Sequence, residues 1–509
     1  MQVTSGRLLA VGCGSLSGLI FSLSIPKADI GLLAWICFLP AFLALRFTRH
    51  ALTLGITLGV VTGIGRIYWI TETLQSFGGL GPILAVATNV LLIAYLAIYP
   101  ALFFFAIQRI SLLDPRLPAV SAALWVVLEW FQSWVITGFP WELVGYSQYR
   151  QLYLSQIASV TGVYGLSFLI LLVNATLAQV ALAPHRWRRL LPPTVLLCAV
   201  LCYGVIRLND DANSERSSLA VGIVQGNFPQ DIKWDRDRLV QTAARYTELT
   251  HTLIGRKLDL VVYPETALPF RFQHADYARL RALVETTAAA IKTPILVGSL
   301  DGVENGTSEE LYNRAFLLDR DGKIVAFSDK VHLVPFGEYI PFPQIFQYLE
   351  GLTAESGAFA HGMQRPAIEI PELAERLGLF ICYEAIFPEI SRELAQKGAT
   401  LLINITNDAW FGRTAAPYQH LAMAALRAIE TGRSVVRVAN TGISCLISPT
   451  GSISAATELF ETKAFVVDAE TRSETTVYVR FGDYLILISA LYLAVEIVLR
   501  RRSAGSCCR

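Results

Sequence analysis

Long apolar runs fill the first 208 residues, and one more run returns near the C-terminus. Each is close to the roughly 20 residues that a membrane-spanning helix needs. The approximate bounds of the eight runs are Leu8–Ile25, Gly31–Phe47, Ala51–Ile70, Ile83–Ile107, Ala119–Ile136, Ala158–Ala183, Leu190–Leu208 and Tyr484–Leu499. The pattern predicts a multispan α-helical membrane domain of about eight transmembrane helices. Seven lie in residues 1–208, and the eighth lies in residues 483–509, which include a basic tail.

Basic residues in the short loops predict the orientation of these helices. They follow the even-numbered runs, as Arg46 does after the second, Arg109 after the fourth and Arg500 after the eighth. The loops after runs one, three and five are poor in them. Because cytoplasmic loops carry an excess of Lys and Arg, we expect both termini to be cytoplasmic. Residues 209–482 then lie on the outer face of a bacterial inner membrane.

The composition agrees with a membrane protein. Hydrophobic residues make up 53% of the 509 residues and charged residues 16%, whereas a soluble globular chain carries about 25% charge. A net charge of +1 gives no reason to expect a nucleic-acid partner. Most of the acidic residues fall between residues 209 and 482. The low charge content therefore belongs to the apolar part of the chain and not to this insert.

The insert alternates short β-rich runs with helix-like segments, which is typical of a layered α/β domain. The strands predicted from the apolar runs are Leu219–Val224, Leu258–Tyr263, Ile295–Gly298, Ala315–Leu318, Leu377–Cys382, Leu401–Ile405 and Ser434–Val438. The predicted helices are Asp237–Ile254, Ala275–Ile291, Phe387–Lys397 and Pro417–Thr431. We expect a largely buried sheet.

Three predicted strands end in reactive side chains. Glu265 follows one strand, Lys330 follows the run Ile324–Phe327, and Cys382 follows a third. Sites in α/β sheets tend to assemble at the carboxyl ends of strands. A thiol beside a base can become a nucleophile, and a cation can stabilise the oxyanion that forms when an acyl carbon is attacked. The three together are sufficient for acyl transfer through a thioester.

Each of these residues alone is a weak signal. A cysteine at the end of an apolar strand is most often structural, a lone glutamate after proline is more often a cap or a solvated residue, and a lone lysine is usually on the surface. Cys445 is the only other cysteine of the insert and lies in a strand-like run, Gly442–Ile447, so we expect it to be part of the core. A C-x-x-C spacing is absent from the sequence, which argues against a structural zinc site.

The motifs around these residues resemble those of a known superfamily. Tyr263-Pro264-Glu265, the segment from Lys330 to Glu338, and Ile381-Cys382-Tyr383-Glu384 resemble the three catalytic motifs of the nitrilase (carbon–nitrogen hydrolase) superfamily. Asn404–Gly412 and Gln225-Gly226-Asn227, with the membrane spans around the insert, narrow the resemblance to the apolipoprotein N-acyltransferase family. The resemblance implies an extracytoplasmic α/β nitrilase-like domain, an α-β-β-α sandwich, at residues 209–482.

The resemblance also implies a reaction and roles for its residues. Cys382 would take an acyl group from a phospholipid as a thioester and pass it to the N-terminal amine of a diacylglyceryl-modified apolipoprotein. Glu265 would be the general base, Lys330 would stabilise the oxyanion, and Glu338 would hold Lys330 or share proton handling. The backbone N–H of Tyr383 would be a second oxyanion donor. No cofactor or metal is implied, because the acyl donor is itself activated.

Four further residues are expected to support the site or bind substrate by the same resemblance, namely Glu384, Asn407, Trp410 and Trp234. The membrane lipids supply the donor, and we expect a monomer because eight spans restrict assembly through the sheets. Within the membrane part, Glu129 is an intramembrane carboxylate and hence a functional candidate, with Arg66 as a possible partner.

Two other functions remain open from the sequence. The first is a membrane-anchored carbon–nitrogen hydrolase (amidase) that uses water as the acceptor. The second is a multispan transporter or receptor whose outer domain is catalytically inactive. The intact set of Glu265, Lys330 and Cys382 argues against the second, and eight spans argue for a lipid substrate, since a single span already anchors a soluble-substrate hydrolase.

Overall fold

The computed structural model describes residues 2–141, 143–212, 217–233, 236–305, 308–340, 359–370 and 373–506. The chain forms two compact units. The first, here called the helical unit, comprises Met1–Tyr68, Val86–Asn213 and Arg480–Arg509. The second, the sheet unit, comprises Ser214–Val479 together with Trp69–Ala85, a segment from within the first half of the chain.

Apolar α-helices build the helical unit, which confirms a helical N-terminal region. Its main α-helices are Gln2–Ser24, Leu39–Ala44, Ala51–Ile67, Pro82–Ile107, Leu117–Gln132, Val163–Leu182, Leu191–Ala212 and Tyr484–Ser506. Two single-turn helices, Leu152–Ser155 and Ala158–Thr161, precede Val163–Leu182. Among the described residues, four helices are long and apolar enough to cross a membrane, or five if Ala51–Ile67 and Trp69–Ser76 form one broken span. The count of eight spans stays a prediction.

The second apolar run shows why the helices are fewer than the runs. It was expected to form one helix over Gly31–Phe47, but the structure has a 3₁₀ turn, Gly31–Trp35, and then a separate short helix, Leu39–Ala44. Pro40 lies in the first turn of that helix, where its missing N–H costs no helical bond. The amide of Asn174 accepts from Phe38 N at 2.9 Å and donates to Ala34 O at 3.0 Å. The buried break therefore keeps its backbone groups paired.

Glu129 and Arg66 are both buried in the helical unit. Glu129 Oε1 accepts from the Trp125 indole at 2.8 Å and from Val144 N at 3.0 Å. Together with Thr62 and other residues, Glu129 and Arg66 line a cavity of this unit. The buried Glu129 carboxylate thus joins two helical segments through its hydrogen bonds.

Two stacked β-sheets form the centre of the sheet unit. The strands are β1 (Ser218–Gln225), β2 (Leu260–Val262), β3 (Leu268–Arg271), β4 (Ile295–Asn305), β5 (Ser308–Leu318), β6 (Ile324–Asp329), β7 (Ala367–Glu369), β8 (Arg376–Ile381), β9 (Leu401–Thr406), β10 (Val435–Ala439), β11 (Cys445–Ile447), β12 (Ile453–Ser454) and β13 (Lys463–Glu470). One sheet has the order β13-β1-β2-β4-β5-β6, with β3 beside β4, and the other has the order β12-β11-β10-β9-β8-β7. β1, β2 and β4 are parallel in the first, and β8, β9 and β10 in the second.

Alternate residues of the first sheet face opposite layers, as the period of a strand requires. Ile223 and Val262 pack with Ile381 and Ile403 of the second sheet. Their neighbours on the same strands, such as Val261, pack instead with helix residues. The longer helices of this unit are Leu239–His251, Ala278–Ile291, Pro388–Gln396 and Ala416–Thr431. This architecture confirms the predicted α-β-β-α sandwich.

Candidate active site

Three strand ends bring the predicted reactive residues together in the sheet unit. Glu265 comes shortly after β2, Lys330 directly after β6, and Cys382 directly after β8. All three side chains are buried, and Lys330 Nζ donates to Glu265 Oε1 at 3.0 Å. Gly298 lets the backbone at Glu265 pack closely against β4, because a Cβ there would lie 2.2 Å from the Pro264 carbonyl oxygen. The carboxylate, amine and thiol therefore form one buried cluster.

The Glu265 carboxylate accepts three hydrogen bonds from three directions. Oε1 accepts from the Asn313 amide at 2.8 Å as well as from Lys330, and Oε2 accepts from Asn407 N at 2.9 Å. Burial alone would raise the pKa of Glu265, but Lys330, Lys233 and the Asn313 amide together outweigh it, and the pKa of this carboxyl is lowered. Glu265 is therefore ionised at neutral pH and fixed in orientation.

Lys330 lies between two carboxylates. Its Nζ donates to Glu338 Oε1 at 2.9 Å, and Glu338 Oε2 accepts from Val334 N at 2.8 Å. Burial disfavours the Lys330 cation, but the charges of Glu265 and Glu338 hold its pKa well above the usual value. Burial raises the pKa of Glu338, although Lys330 opposes this. Lys330 thus stays a cation inside the protein, and Glu338 anchors it to the following loop.

Cys382 starts a 3₁₀ helix, Cys382–Ile386, in a left-handed backbone conformation with φ of 51°. Burial raises the pKa of its thiol, and the charge of Glu265 adds to the effect while Lys330 opposes it. The resting group is therefore a neutral thiol beside an ionised carboxylate. Such a pair favours transfer of the proton to Glu265 as the sulfur attacks.

Glu384 ties the Cys382 turn to the segment after Lys330. Its Oε1 accepts from Val331 N at 3.0 Å and His332 N at 2.9 Å, and its Oε2 accepts from Ile381 N at 2.7 Å. The Tyr383 side chain is buried, with its ring 5.3 Å from that of Phe387. Glu384 thus holds two of the three strand ends in register through backbone hydrogen bonds.

Asn407 and Trp410 lie on the segment that follows β9. Besides its backbone bond to Glu265, Asn407 donates from its amide to Gln230 at 2.8 Å and accepts from Asn440 at 3.0 Å. Trp410 lies in the 3₁₀ helix Asp408–Phe411. Trp234, the remaining predicted residue, lies outside the described residues.

The segment Trp69–Ala85, here called the arm, packs against this 3₁₀ helix. Thr73 Oγ1 donates to Trp410 O at 2.9 Å, and the Phe77 ring meets the Trp410 ring edge-on at 5.5 Å. The Trp69 indole donates to Gln419 at 3.2 Å and its ring meets that of Phe411 at 4.8 Å. Hydropathy does not reveal this contact, because the start of the arm is continuous with an apolar run.

Lys233 is a second buried lysine that sequence reasoning missed. Its Nζ donates to the Thr266 hydroxyl at 2.6 Å and to Glu265 O at 3.2 Å. Burial lowers the pKa of Lys233 to about 7, although the charges of Glu265 and Cys382 oppose this. A lone lysine in a polar segment carries no sequence signal of burial. Asn313, which donates to Glu265, was also missed, because its position in the sequence carries no signal of this contact.

A buried polar network behind Cys382 was also missed. Asp408 Oδ2 accepts from Arg437 at 2.7 Å, Asp408 Oδ1 accepts from the Thr406 hydroxyl at 3.0 Å, and His420 Nε2 lies 3.0 Å from Cys382 O. Burial alone would raise the pKa of Asp408, but Arg437, His420 and the Thr406 hydroxyl together outweigh it, and that pKa is lowered. Burial and Arg437 lower the pKa of His420. The network is therefore a buried Asp408–Arg437 ion pair, with His420 placed between Asp408 Oδ1 and the Cys382 carbonyl.

The sheet unit has two described cysteines. Cys382 and Cys445 are both free thiols, and Cys445 is buried in β11, as expected of a core residue. In the part of the chain that the structure describes, no three His, Cys, Asp or Glu side chains come together as metal ligands would.

Comparison with known proteins finds two families that match separate parts of the chain. Residues 17–176 match the family described as Apolipoprotein N-acyltransferase N-terminal domain, and residues 220–480 match Carbon-nitrogen hydrolase. Among solved structures, a carbon-nitrogen hydrolase from Helicobacter pylori is similar with a TM-score of 0.37 and 15% identity, covering 50% of this chain and 90% of that chain.

Curated relatives match nearly the whole length. The chain is 38% identical over 500 residues to the apolipoprotein N-acyltransferase of Geobacter metallireducens, which covers 96% of this chain and 95% of that protein. It is 33% identical to the apolipoprotein N-acyltransferase of Nitrosomonas europaea, with 95% of both chains covered.

Proposed function

The chain belongs to the apolipoprotein N-acyltransferase family, whose reaction is the N-acylation of lipoproteins, and we propose that three residues carry out this reaction. They are Glu265, Lys330 and Cys382. The observation that supports this most is the pairing of an ionised Glu265 with a neutral Cys382 thiol, both beside the Lys330 ammonium. This charge arrangement is suited to a thiol that loses its proton only as it attacks.

The first step forms the acyl-enzyme. Cys382 Sγ attacks the ester carbon of a phospholipid while Glu265 takes the thiol proton. The negative charge that develops on the ester oxygen is stabilised by the Lys330 ammonium and the Tyr383 N–H, as in other preorganised oxyanion sites. Collapse breaks the ester bond, and the proton passes from Glu265 to the leaving alkoxide. The products are a thioester on Cys382 and a lysophospholipid.

The second step regenerates the thiol. The α-amine at the N-terminal diacylglyceryl-cysteine of an apolipoprotein attacks the thioester carbon, and Glu265 takes a proton from that amine. Breaking the carbon–sulfur bond releases the amide, and the proton returns to Cys382. Each step transfers one acyl group and one proton through the same two residues. No redox partner is required.

The supporting residues hold Lys330, Cys382 and Glu265 in position. Glu338 fixes Lys330 through its 2.9 Å bond, Glu384 holds the Cys382 turn against the segment after Lys330, and Asn407 N directs Glu265 Oε2. Trp410, and Trp234 by the sequence resemblance, would contact substrate near the site. A carboxylate or thiol misplaced by 1 Å can lose about 10²-fold in rate.

The membrane part is proposed to present lipids to this site. The family and the apolar helices support a location in the bacterial inner membrane. We further propose eight spans, cytoplasmic termini, a periplasmic catalytic domain at residues 209–482 and a monomeric enzyme. Membrane phospholipid is the acyl donor and diacylglyceryl-modified apolipoprotein the acceptor.

Mass spectrometry tests the acyl-enzyme directly. The full-length protein in nanodiscs with phospholipid should carry one acyl chain on the Cys382 peptide, and a diacylglyceryl-cysteine peptide added afterwards should take it up as an amide. Cys382→Ala should carry none, whereas Cys198→Ala, which removes an exposed thiol of the helical unit, should behave as the unmodified enzyme. Normal N-acylation by Cys382→Ala would overturn the proposal. Discharge of the thioester to water as fast as to the amine would favour the amidase.

A further inference from the structure

The backbone at Cys382 is in a conformation that needs outside support. A left-handed conformation is strained for an L-residue, and such a residue persists only where its surroundings over-determine it. On one side, Glu384 accepts from the N–H of the preceding Ile381 at 2.7 Å. On the other side, the contact to the Cys382 carbonyl is His420 Nε2 at 3.0 Å.

The proton on His420 can be assigned from its partners. A carbonyl oxygen only accepts, so the bond to Cys382 O requires a proton on Nε2. The other ring nitrogen, Nδ1, lies 3.0 Å from Asp408 Oδ1 and 3.1 Å from an Arg437 guanidinium nitrogen. Arg437 in turn donates to Asp408 at 2.7 Å. Nε2–H is therefore the donor to Cys382 O, and the buried Asp408–Arg437 ion pair holds the opposite side of the ring.

This hydrogen bond also sets the direction of a neighbouring donor. The peptide bond between Cys382 and Tyr383 is planar and trans, so the Cys382 C=O and the Tyr383 N–H point in opposite directions. If the carbonyl is held toward His420, the N–H is held away from it. Rotation of this one peptide plane would move both groups together.

We propose that His420 is a positioning residue that orients the Tyr383 N–H by holding the Cys382 carbonyl. The Asp408–Arg437 pair holds the His420 ring at Nδ1, and Gly442 leaves room for Asp408, since a Cβ there would lie 2.3 Å from Asp408 Oδ2. His420 does not touch the thiol or the substrate in this role. The inference rests on the proposed acylation of Cys382.

Two reactions of the Cys382 thiol distinguish a role of His420 in orienting the Tyr383 N–H from a general role in the structure. Acylation by phospholipid generates an oxyanion, whereas alkylation by iodoacetamide displaces iodide and generates none. Loss of a single oxyanion donor costs about 10²–10³ in rate. In His420→Phe, which keeps the ring shape without the donor, single-turnover acylation of Cys382 should fall about 10²-fold. Alkylation should stay within about twofold, because the thiol and Glu265 are unchanged.

Two amide variants of His420 provide the same test if His420→Phe does not fold. Gln places its amide nitrogen as many bonds from Cα as His places Nε2, and Asn is one bond shorter. His420→Gln should keep acylation within about tenfold of the unmodified enzyme, and His420→Asn should lose it as the phenylalanine variant does, both with normal alkylation.

Two outcomes would overturn the inference. One is acylation at the normal rate in His420→Phe and His420→Asn, and the other is a parallel loss of acylation and alkylation. Failure of the proposed function itself is distinguishable, because the unmodified enzyme would then form no acyl adduct on Cys382 at all.

Discussion

The buried Lys233 Nζ donates to the Thr266 hydroxyl at 2.6 Å, and Thr266 directly follows Glu265, the general-base candidate. Thr266 has a φ of 44°, and the second bond of Lys233 goes to the carbonyl of Glu265 itself. Two lysines, Lys233 and Lys330, therefore approach Glu265 from its backbone and from its carboxylate. Of the two, only Lys330 could be placed near Glu265 from the sequence, because it ends a predicted strand.

The pH dependence of acylation should report on this pair of lysines. Because the pKa of Glu265 is lowered, the base stays ionised below its ordinary value of about 4.3, and acylation should stay constant from neutral pH down into that range. Lys233→Met removes a cation that lowers this pKa, so the acid limb of the pH–rate profile should move to higher pH. Single-turnover acylation measured against pH gives the limb directly.

The exposed Lys257 provides the control for this experiment. Lys257→Met should leave the limb unmoved. A profile of Lys233→Met that coincides with that of the unmodified enzyme would contradict a role of Lys233 in the ionisation of Glu265.

Glu384 should contribute more to stability than to proton transfer. In Glu384→Gln one carboxylate oxygen becomes an NH₂ group, which faces a backbone N–H and cannot accept from it. Hydrogen bonds to charged groups contribute about 1.5–3 kcal/mol, so we expect a loss of about 2 kcal/mol, seen as a fall of about 5 °C in the melting temperature. Thermal unfolding followed by circular dichroism measures it.

Glu393→Gln is the matched control for this loss. Glu393 pairs with Arg365 and Lys397 but is 39% exposed, and exposed ion pairs contribute about 0–1 kcal/mol. An equal melting temperature for the two variants would show that the three backbone bonds of Glu384 contribute little.

How far the sequence predicts this molecule differs between its parts. Glu265, Lys330 and Cys382 could be placed together because each ends an apolar strand, and strand ends meet at the edges of sheets. Lys233 and His420 could not, because their roles depend on contacts with residues 33 and 38 positions away, respectively. The break in the second apolar run at Ile36–Phe38 could not be predicted either, because hydropathy does not report the hydrogen bonds of Asn174 that stabilise it.

The arm should be coupled energetically to the segment after β9. Edge-on aromatic pairs contribute about 0.5–1.5 kcal/mol beyond their buried area, so Phe77→Ala and Trp410→Ala should be non-additive by about that amount. A double-mutant cycle on chemical unfolding of the sheet unit within the full-length protein measures the coupling. Trp187 is an exposed tryptophan of the helical unit, and Phe77→Ala with Trp187→Ala should be additive within about 0.5 kcal/mol. Additivity of the first pair would contradict the contact.

Glu129 should serve structure through its hydrogen bonds rather than function through its charge. Its Oε1 accepts from the Trp125 indole at 2.8 Å and from Val144 N at 3.0 Å. Glu129→Gln keeps a carbonyl oxygen for both donors, so acyl transfer and folded yield should stay within about threefold. Glu129→Leu leaves two buried N–H groups without that acceptor, at about 1–3 kcal/mol each. We therefore expect the leucine variant to lose yield and thermal stability together. If Glu129→Gln instead folded normally but lost acyl transfer, the negative charge beside Arg66 in the cavity of the helical unit would be required, and Glu129 would be functional.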